Sequence, residues 1–462
     1  MSEKIKFLHT GDIHLGRPLK CGGEAPEHLA PLFNDASYKA LQRIFNEAIE
    51  RKVDFVLISG DLYDSEARSI KASRQFLEEC QCLNDYNIPI YIISGNHDPR
   101  GEEKEPFSFP ENVFFLDSED VEMINHMAQE ENVLARILGQ SYRTKFESRK
   151  MYTYYTVPDE NCYNLGLLHT QLNPDNNRYV PISRSDLEEK DDIHYWALGH
   201  IHEPRVLRSS SPALVYSGTP QGHNISEQGI KGCFIVESSS SKPEEKPLIT
   251  FVPLSPLIYK KLEIDIGKTD KTLKNLSDLQ ETLINKTEKL LKQNLKNEIN
   301  FPGEENDNVL IDEDIDQPVQ GIIIRWLITG RGPLHELIDD NKEEAERELK
   351  EYLNDRFASP HMEPFVWTHS LQFRTSEEVP AMEELKNNEI YQEVEAVLEE
   401  IKTDQEKEKE LLNNWGRIWD GDQEQEERDN DKFYPDQETK EEILKAAREK
   451  IITHLFGGGE KE

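Results

Sequence analysis

The chain has 462 residues, 90 acidic against 54 basic side chains, a formal net charge of −36 and five cysteines. The length calls for two or three domains. The cysteines are odd in number and scattered, which argues against a disulfide framework. No apolar run reaches membrane-spanning length and the opening Met-Ser-Glu-Lys leads straight into a strand, so a cytoplasmic protein without a signal peptide or membrane segment is expected.

Taken in chain order, five segments repeat one arrangement. Each is a β-type apolar run that stops at a residue able to bind a metal. KIKFLHT runs into Asp12 and His14, VDFVLIS into Asp61 and Asp64, IPIYIIS into Asn96, His97 and Asp98, YNLGLL into His169, and HYWAL into His200 and His202. Between the first three runs, 36–51 and 69–84 have apolar residues at helical spacing. This is β-α-β grammar, with chemistry at the strand ends. Beyond 149 the strands become denser, with MYTYYTVP, ALVYSG and GCFIVES joining the list. Two sheets packed face to face with helices outside are expected over 1–255.

The stretch 238–245 is a turn or short linker, and 249–266 reads as strands. A long charged helix is predicted over 271–296. The run 304–316, with seven acids and no base, reads as a flexible loop. VQGIIIRWLIT from Val319 is a strand, 343–357 a helix and PFVWTHSLQFRT a final strand, making a small α+β domain over 256–376. Residues 377–462 read as acidic helices; 376–462 hold 27 acids against 12 bases. There Thr439-Lys-Glu-Glu442 has capping-box form and an apolar stripe follows, stopped by Gly457-Gly-Gly459. A short apolar helix on an acidic tether suits binding in a groove; folding back onto its own domain is the equal alternative.

The residue types point to a two-metal hydrolase. Two cations about 3.5–4 Å apart need a carboxylate between them, and Asp61 suits that role. In Asp-x-His and His-x-His, residues two apart on extended chain point to one side, so Asp12 with His14 and His200 with His202 can converge. Imidazole, carboxylate and amide oxygen suit manganese, iron or zinc, and no Cys lies in the five segments. His97 is a candidate to protonate a leaving group, with Asp64 as the carboxylate that keeps it charged. A crowd of bases from Arg136 to Lys150 includes Arg143 and Lys145 as candidate phosphate contacts; with Arg325, Arg331 is another. Trp326 and Trp367 are read first as core. The net charge opposes a polyanionic substrate, although bound cations would add positive charge where phosphate sits.

Gly11-Asp-Ile-His14, Gly60-Asp-Leu-Tyr-Asp64, Gly95-Asn-His-Asp98, His169 and Gly199-His-Ile-His202 resemble the five blocks of the calcineurin-like metallophosphoesterases. Asp12-Ile-His-Leu-Gly16, Pro110-Glu-Asn-Val113, Tyr216-Ser-Gly-Thr-Pro220 and Gly330-Arg-Gly-Pro-Leu-His335 are similar to the DNA repair exonucleases of the SbcD/YhaO type. The resemblance implies a four-layer α/β sandwich of two mixed sheets flanked by helices, followed by an α+β capping domain and C-terminal helices. It implies one metal on Asp12, His14, Asp61 and His202 and another on Asp61, Asn96, His169 and His200, with Mn2+ expected at both. It implies a catalytic His97 oriented by Asp64, DNA as substrate, an SMC-like coiled-coil ATPase held by the C-terminal helices, and a homodimer. The best-known repair members carry His where this chain has Asp64, so the site has more of the phosphatase character.

Overall fold

The structure is a computed structural model that describes residues 4–21, 25–64, 69–100, 106–127, 133–158, 162–175, 177–269, 271–299, 301, 308–313, 319–339, 341–359, 361–376, 385–404, 407 and 437–456. Its elements are β1 (Lys4–Thr10), α1 (Ala30–Glu50), β2 (Phe55–Ser59), α2 (Ile70–Asp85), β3 (Ile90–Ile93), β4 (Val113–Phe115), β5 (Glu122–Met127), β6 (Val133–Gly139), β7 (Tyr163–His169), α3 (Arg184–Glu188), β8 (Tyr195–Gly199), β9 (Arg205–Arg208), β10 (Ala213–Tyr216), β11 (Gly232–Ser239) and β12 (Leu248–Pro253). They continue with β13 (Leu257–Asp265), α4 (Leu276–Leu291), β14 (Val309–Ile311), β15 (Gly321–Arg331), α5 (Leu334–Asp339), α6 (Lys342–Phe357), β16 (Phe365–Ser376), α7 (Glu389–Thr403) and α8 (Gln437–Phe456).

Two mixed sheets carry the fold, one ordered β14-β12-β11-β1-β2-β3-β4 and the other β5-β6-β7-β8-β10-β9. In the first, β1, β2, β3 and β4 run parallel; in the second, β6, β7, β8 and β10 do. The two-residue period of a strand sorts each run into two cores. From β2, Phe55 and Leu57 enter the layer between the sheets with Phe7, Ile93, Leu165 and Tyr195. Val56 and Ile58 face the other way, onto Leu41 and Phe45 of α1 and Phe76 and Leu83 of α2. The outer face of the second sheet packs Trp196 and Leu198 against Tyr142, Tyr155 and Leu187. Full burial of one such large apolar side chain contributes about 1.5–3 kcal/mol, so a strand buried on both faces is held firmly at its ends. The expected α/β sandwich of two sheets flanked by helices is the observed one.

Parallel strands joined by helices bring their C-terminal ends to one edge, where irregular loops gather. The ends of β1, β2, β3, β7 and β8 all open there, and these are the five segments singled out above.

The chain divides into two units: Met1–Leu262, Ile284–Trp326 and Leu349–Leu371 in one, Glu263–Leu283, Leu327–Glu348 and Gln372–Glu462 in the other. β13, β15 and β16 form a third sheet in the order β13-β15-β16. In the first unit Trp367 meets Phe33 edge-on at 5.1 Å, and both Trp326 and Trp367 are buried, as read from the sequence. In the second unit α7 and α8 pack through Tyr391, Ile452 and Phe456, and Arg448 reaches Glu395 and the Tyr391 hydroxyl. The side chains of 437–440, which include Thr439, and the glycines 457–459 lie outside the described residues. Among the described residues no helix is long and apolar enough to cross a membrane.

Two sequence-based elements differ. MYTYYTVP, read as a strand, holds a 3-10 turn at Met151–Tyr154; Met151 and Tyr155, four apart, are the buried pair, and the Tyr155 hydroxyl donates to the Leu167 carbonyl. The acidic run 304–316 contains β14, which pairs in parallel with β12, Ile249 opposite Val309.

Candidate metal centre

The strand ends are tied together by backbone N–H groups that donate to neighbouring carbonyls and to the carboxylates of the site. Asp12 N–H donates to the Gly60 carbonyl (2.9 Å) and His14 N–H to the Asp61 carbonyl (3.0 Å). His97 N–H donates to Asp61 Oδ1 (2.9 Å), and His200 N–H to both oxygens of Asp12 (2.9 and 3.0 Å). Asp98 ties two loops, its carboxylate accepting from Gly95, Leu62 and Tyr63 N–H at 2.7, 2.8 and 3.2 Å. Burial and the neighbouring Asp61 push its pKa up to about 7.

This stitching bends the chain. Asp12, His14, Asp61 and His200 all have positive φ, at 48°, 46°, 51° and 95°. Such conformations cost about 1–3 kcal/mol each in non-glycine residues and persist only where the surroundings enforce them. Gly60 leaves β2 with φ 97°, and a Cβ there would lie 2.3 Å from His169 Nδ1. A Cβ on Gly95 would lie 2.2 Å from Asp61 Oδ1. Gly60 and Gly95 are thus required by closeness to the donors, and Gly60 by its positive φ as well.

The donor atoms converge. Asp12, His14 and His202 bring a ligand atom each within 4.8 Å of one another; so do Asp12, Asp61 and His169, and so do His14, Asp64 and His97. Asp61 Oδ2 lies between two imidazoles, 3.8 Å from His14 Nε2 and 3.4 Å from His169 Nε2. Asn96 Oδ1 stands 3.0 Å from His169 Nε2 and 3.0 Å from His200 Nδ1. His14 Nε2 and His202 Nε2 face each other at 3.2 Å. Every sequence-predicted ligand is therefore in one cluster, with Asp61 at its middle.

The chemistry of the cluster fits cations. His169 Nδ1 sits 3.0 Å from the Ser59 carbonyl, which can only accept, so the Nδ1 proton is fixed there and Nε2 turns to Asn96 and Asp61. Burial opposes a charge on this ring, yet Asp61 and Asp12 outweigh it and push its pKa up to about 9. The opposed Nε2 atoms of His14 and His202 can share at most one proton between them. Burial holds His14 well below its ordinary value and His200 down at about 3. Asp61 is fully buried; the charge of His169 and the hydrogen bond to it overcome the cost of burial and hold its carboxyl below the usual range.

Beside the cluster His97 Nδ1 lies 3.6 Å from Asp64 Oδ1, with the ring 36% exposed. Asp64 raises the His97 pKa against the opposing effect of burial, and its own is lowered to about 2, first by that bond. Arg17 Nε holds the other Asp64 oxygen at 3.3 Å. Arg17 went unread in the sequence, as did Glu227, whose carboxylate meets His202 Nδ1 at 3.1 Å. The local signals were thin: Arg17 follows the first motif by three residues, and Asn224-Ile-Ser-Glu227 has the form of a helix cap with no helix after it.

None of the candidate phosphate contacts is among the clustered donors. Arg143 and Lys145 are exposed in the loop after β6, Arg143 paired with Glu119 at 3.2 Å. Arg149, in the same basic segment, is bound to Glu147 and donates to the Ser118 and Glu119 carbonyls. Arg331 ends β15 in the second unit.

Residues 5–204 match the family model of the calcineurin-like phosphoesterases. The chain is 32% identical over 238 residues to the uncharacterized metallophosphoesterase YhaO of Bacillus subtilis, covering 51% of this chain and 58% of that protein. It is 30% identical over 226 residues to the DNA double-strand break repair protein Mre11 of Methanocaldococcus jannaschii, covering 47% and 57%. With the protein of that name from Archaeoglobus fulgidus the figures are 24% over 241 residues, 48% and 52%. The chain thus spans a little over half the length of these curated relatives.

Proposed function

We propose, for a chain whose residues 5–204 belong to the calcineurin-like phosphoesterases, that it hydrolyses phosphodiester bonds of DNA at a centre of two divalent cations, Mn2+ at both. The observation that carries hydrolysis is Asp61 Oδ2 set between His14 and His169, with Asp12, Asn96, His200 and His202 closing the two ends. DNA as substrate is supported by the similarity to the DNA double-strand break repair proteins of two archaea.

Bound cations would supply a nucleophile at neutral pH and stabilise charge on the nonbridging oxygens. Asp61 would hold both, Asp12, His14 and His202 one of them, and Asn96, His169 and His200 the other. His97, kept charged by Asp64, holds a proton on Nε2 for the leaving oxygen. Arg17 fixes Asp64 from its far side and so fixes His97. Arg143, Lys145 and Arg331 are assigned to the DNA backbone. Residues 1–255 form the catalytic domain, 256–376 a cap that contacts DNA, and 377–462 a docking region for an SMC-like coiled-coil ATPase, in a cytoplasmic homodimer.

A second reading, a phosphatase or phosphodiesterase of small phosphoesters, is favoured by Asp64 beside His97 and by the net charge of −36. Turnover of 5′-labelled single- and double-stranded DNA is compared with that of p-nitrophenyl phosphate mono- and diesters, all in Mn2+ buffer. Mn2+-dependent cleavage of DNA ends or internal bonds is expected. Hydrolysis of the nitrophenyl esters alone would transfer the assignment to small substrates.

A further inference from the structure

We infer that Glu227 is the positioning carboxylate of the centre: it fixes the His202 ring, and with it the cation position formed by Asp12, His14 and His202. The inference rests on the two-cation reading above. Glu227 lies 25 residues past His202, in the turn between β10 and β11.

Both oxygens of Glu227 are committed. Oε1 lies 3.1 Å from His202 Nδ1 and 2.7 Å from Asn224 Nδ2. Oε2 accepts the His223 N–H at 2.6 Å. The turn itself is anchored. Lys20 N–H donates to the His223 carbonyl at 2.9 Å, and Glu227 N–H to the Asn224 carbonyl at 3.0 Å. His202 is tied in separately, its carbonyl accepting from Thr219 N–H at 3.0 Å. A carboxylate that accepts only fixes the Nδ1 proton of His202. Its Nε2 lone pair is then the one that faces His14 Nε2 and the cluster.

The other donors are held differently. His169 is oriented by a neutral carbonyl, that of Ser59. His14 Nδ1 has its nearest carboxylate, Asp64, at 3.9 Å. Glu227 therefore makes the two cation positions unequal. It adds a full negative charge behind one ligand of the Asp12–His14–His202 position and none behind the Asn96–His169–His200 position. Loss of such a supporting partner typically costs 10–100-fold in metal affinity.

The test is Mn2+ titration of the chelator-stripped full chain by calorimetry and electron paramagnetic resonance, with thermal melting of the metal-free forms. The wild type is expected to take two Mn2+ in two steps. Glu227→Gln should weaken one step by roughly 10–100-fold and leave the other, and the metal-free melting temperature, unchanged. Glu203→Gln, which removes one charge from an exposed neighbour paired with Arg205, should alter neither step. Glu227→Asp keeps the charge but draws it back by one methylene, about 1.5 Å, and should weaken the same step; it also serves if the Gln variant does not fold. The inference is overturned if Glu227→Gln binds as the wild type does, if both steps weaken alike, if Glu203→Gln has the same effect, or if Glu227→Asp behaves as wild type. A wild-type chain that binds fewer than two Mn2+ overturns the two-cation reading instead.

Discussion

The two ends of β8 use the same residue in opposite ways. At its entry His194 is buried, its Nδ1 accepts the Asn164 N–H at 2.9 Å, and its ring stacks on Tyr163 with centroids 5.3 Å apart. Burial lowers its pKa to about 4, which keeps the ring neutral. At the exit His200 Nδ1 faces the Asn96 amide oxygen at 3.0 Å and His202 Nε2 faces His14 Nε2 at 3.2 Å. The entry histidine is satisfied by a backbone N–H of the fold, whereas the exit histidines face other candidate metal donors. Burial of an imidazole is therefore no sign of function; what its nitrogens face is the sign.

Removing the exit end at its centre should have the largest effect. Asp61→Ala takes away the carboxylate shared by both cation positions, so hydrolysis should fall to background and bound Mn2+ from two to one or none by elemental mass spectrometry. Full turnover in a folded variant would remove Asp61 from the site. His97→Ala should separate chemistry from binding: turnover drops by about 10²–10⁴ while two Mn2+ stay bound. Loss of metal together with turnover would make His97 a ligand rather than a proton donor.

A smaller effect is expected where the backbone serves the exit end. Gly60→Ala places a methyl against His169 at φ 97°. It should destabilise the chain by about 1–3 kcal/mol, read as a lower urea midpoint, and should weaken Mn2+ binding with it. An unchanged midpoint would mean that β2 and its turn can shift without cost.

The exit end was readable because its signals are local. A strand that stops at Gly-Asp, Gly-Asn or Gly-His announces both a turn and a donor within four residues, and five such stops fixed the set. The sandwich followed from the same runs, since Phe55-Val56-Leu57-Ile58 can bury both faces only between two layers. What escaped depends on distance in sequence. Glu227 and Arg17 gain their roles from His202 and Asp64, 25 and 47 positions away, and little in the local sequence marks either one. In MYTYYTVP the aromatic run favoured a strand, but burial of Met151 and Tyr155 together demanded a turn. In the acidic run 304–316 the charge masked Val309–Ile311, whose pairing with β12 decided the matter. In the basic segment Arg149 is taken up by Glu147, two residues away.

The entry end offers the smallest prediction, and its sign is opposite to that of an acid-stabilised group. The ordinary His value near 6.5 applies to the unfolded chain, and His194 in the fold is at about 4. Between those values the unfolded chain binds the extra proton, so stability rises with pH. The contribution is complete above about pH 6.5 and is lost as the pH falls toward about 4. At pH 5 the loss should be about 1–2 kcal/mol. His194→Asn supplies a side-chain oxygen that can accept the Asn164 N–H and does not titrate. Urea midpoints measured with chelator present, so that the exit end stays metal-free, should fall less for this variant than for the wild type between pH 7.5 and 5.0. Parallel falls would mean that His194 already carries a proton in the fold. The contrast between the two ends of β8 would then lie in what surrounds the rings rather than in their charge.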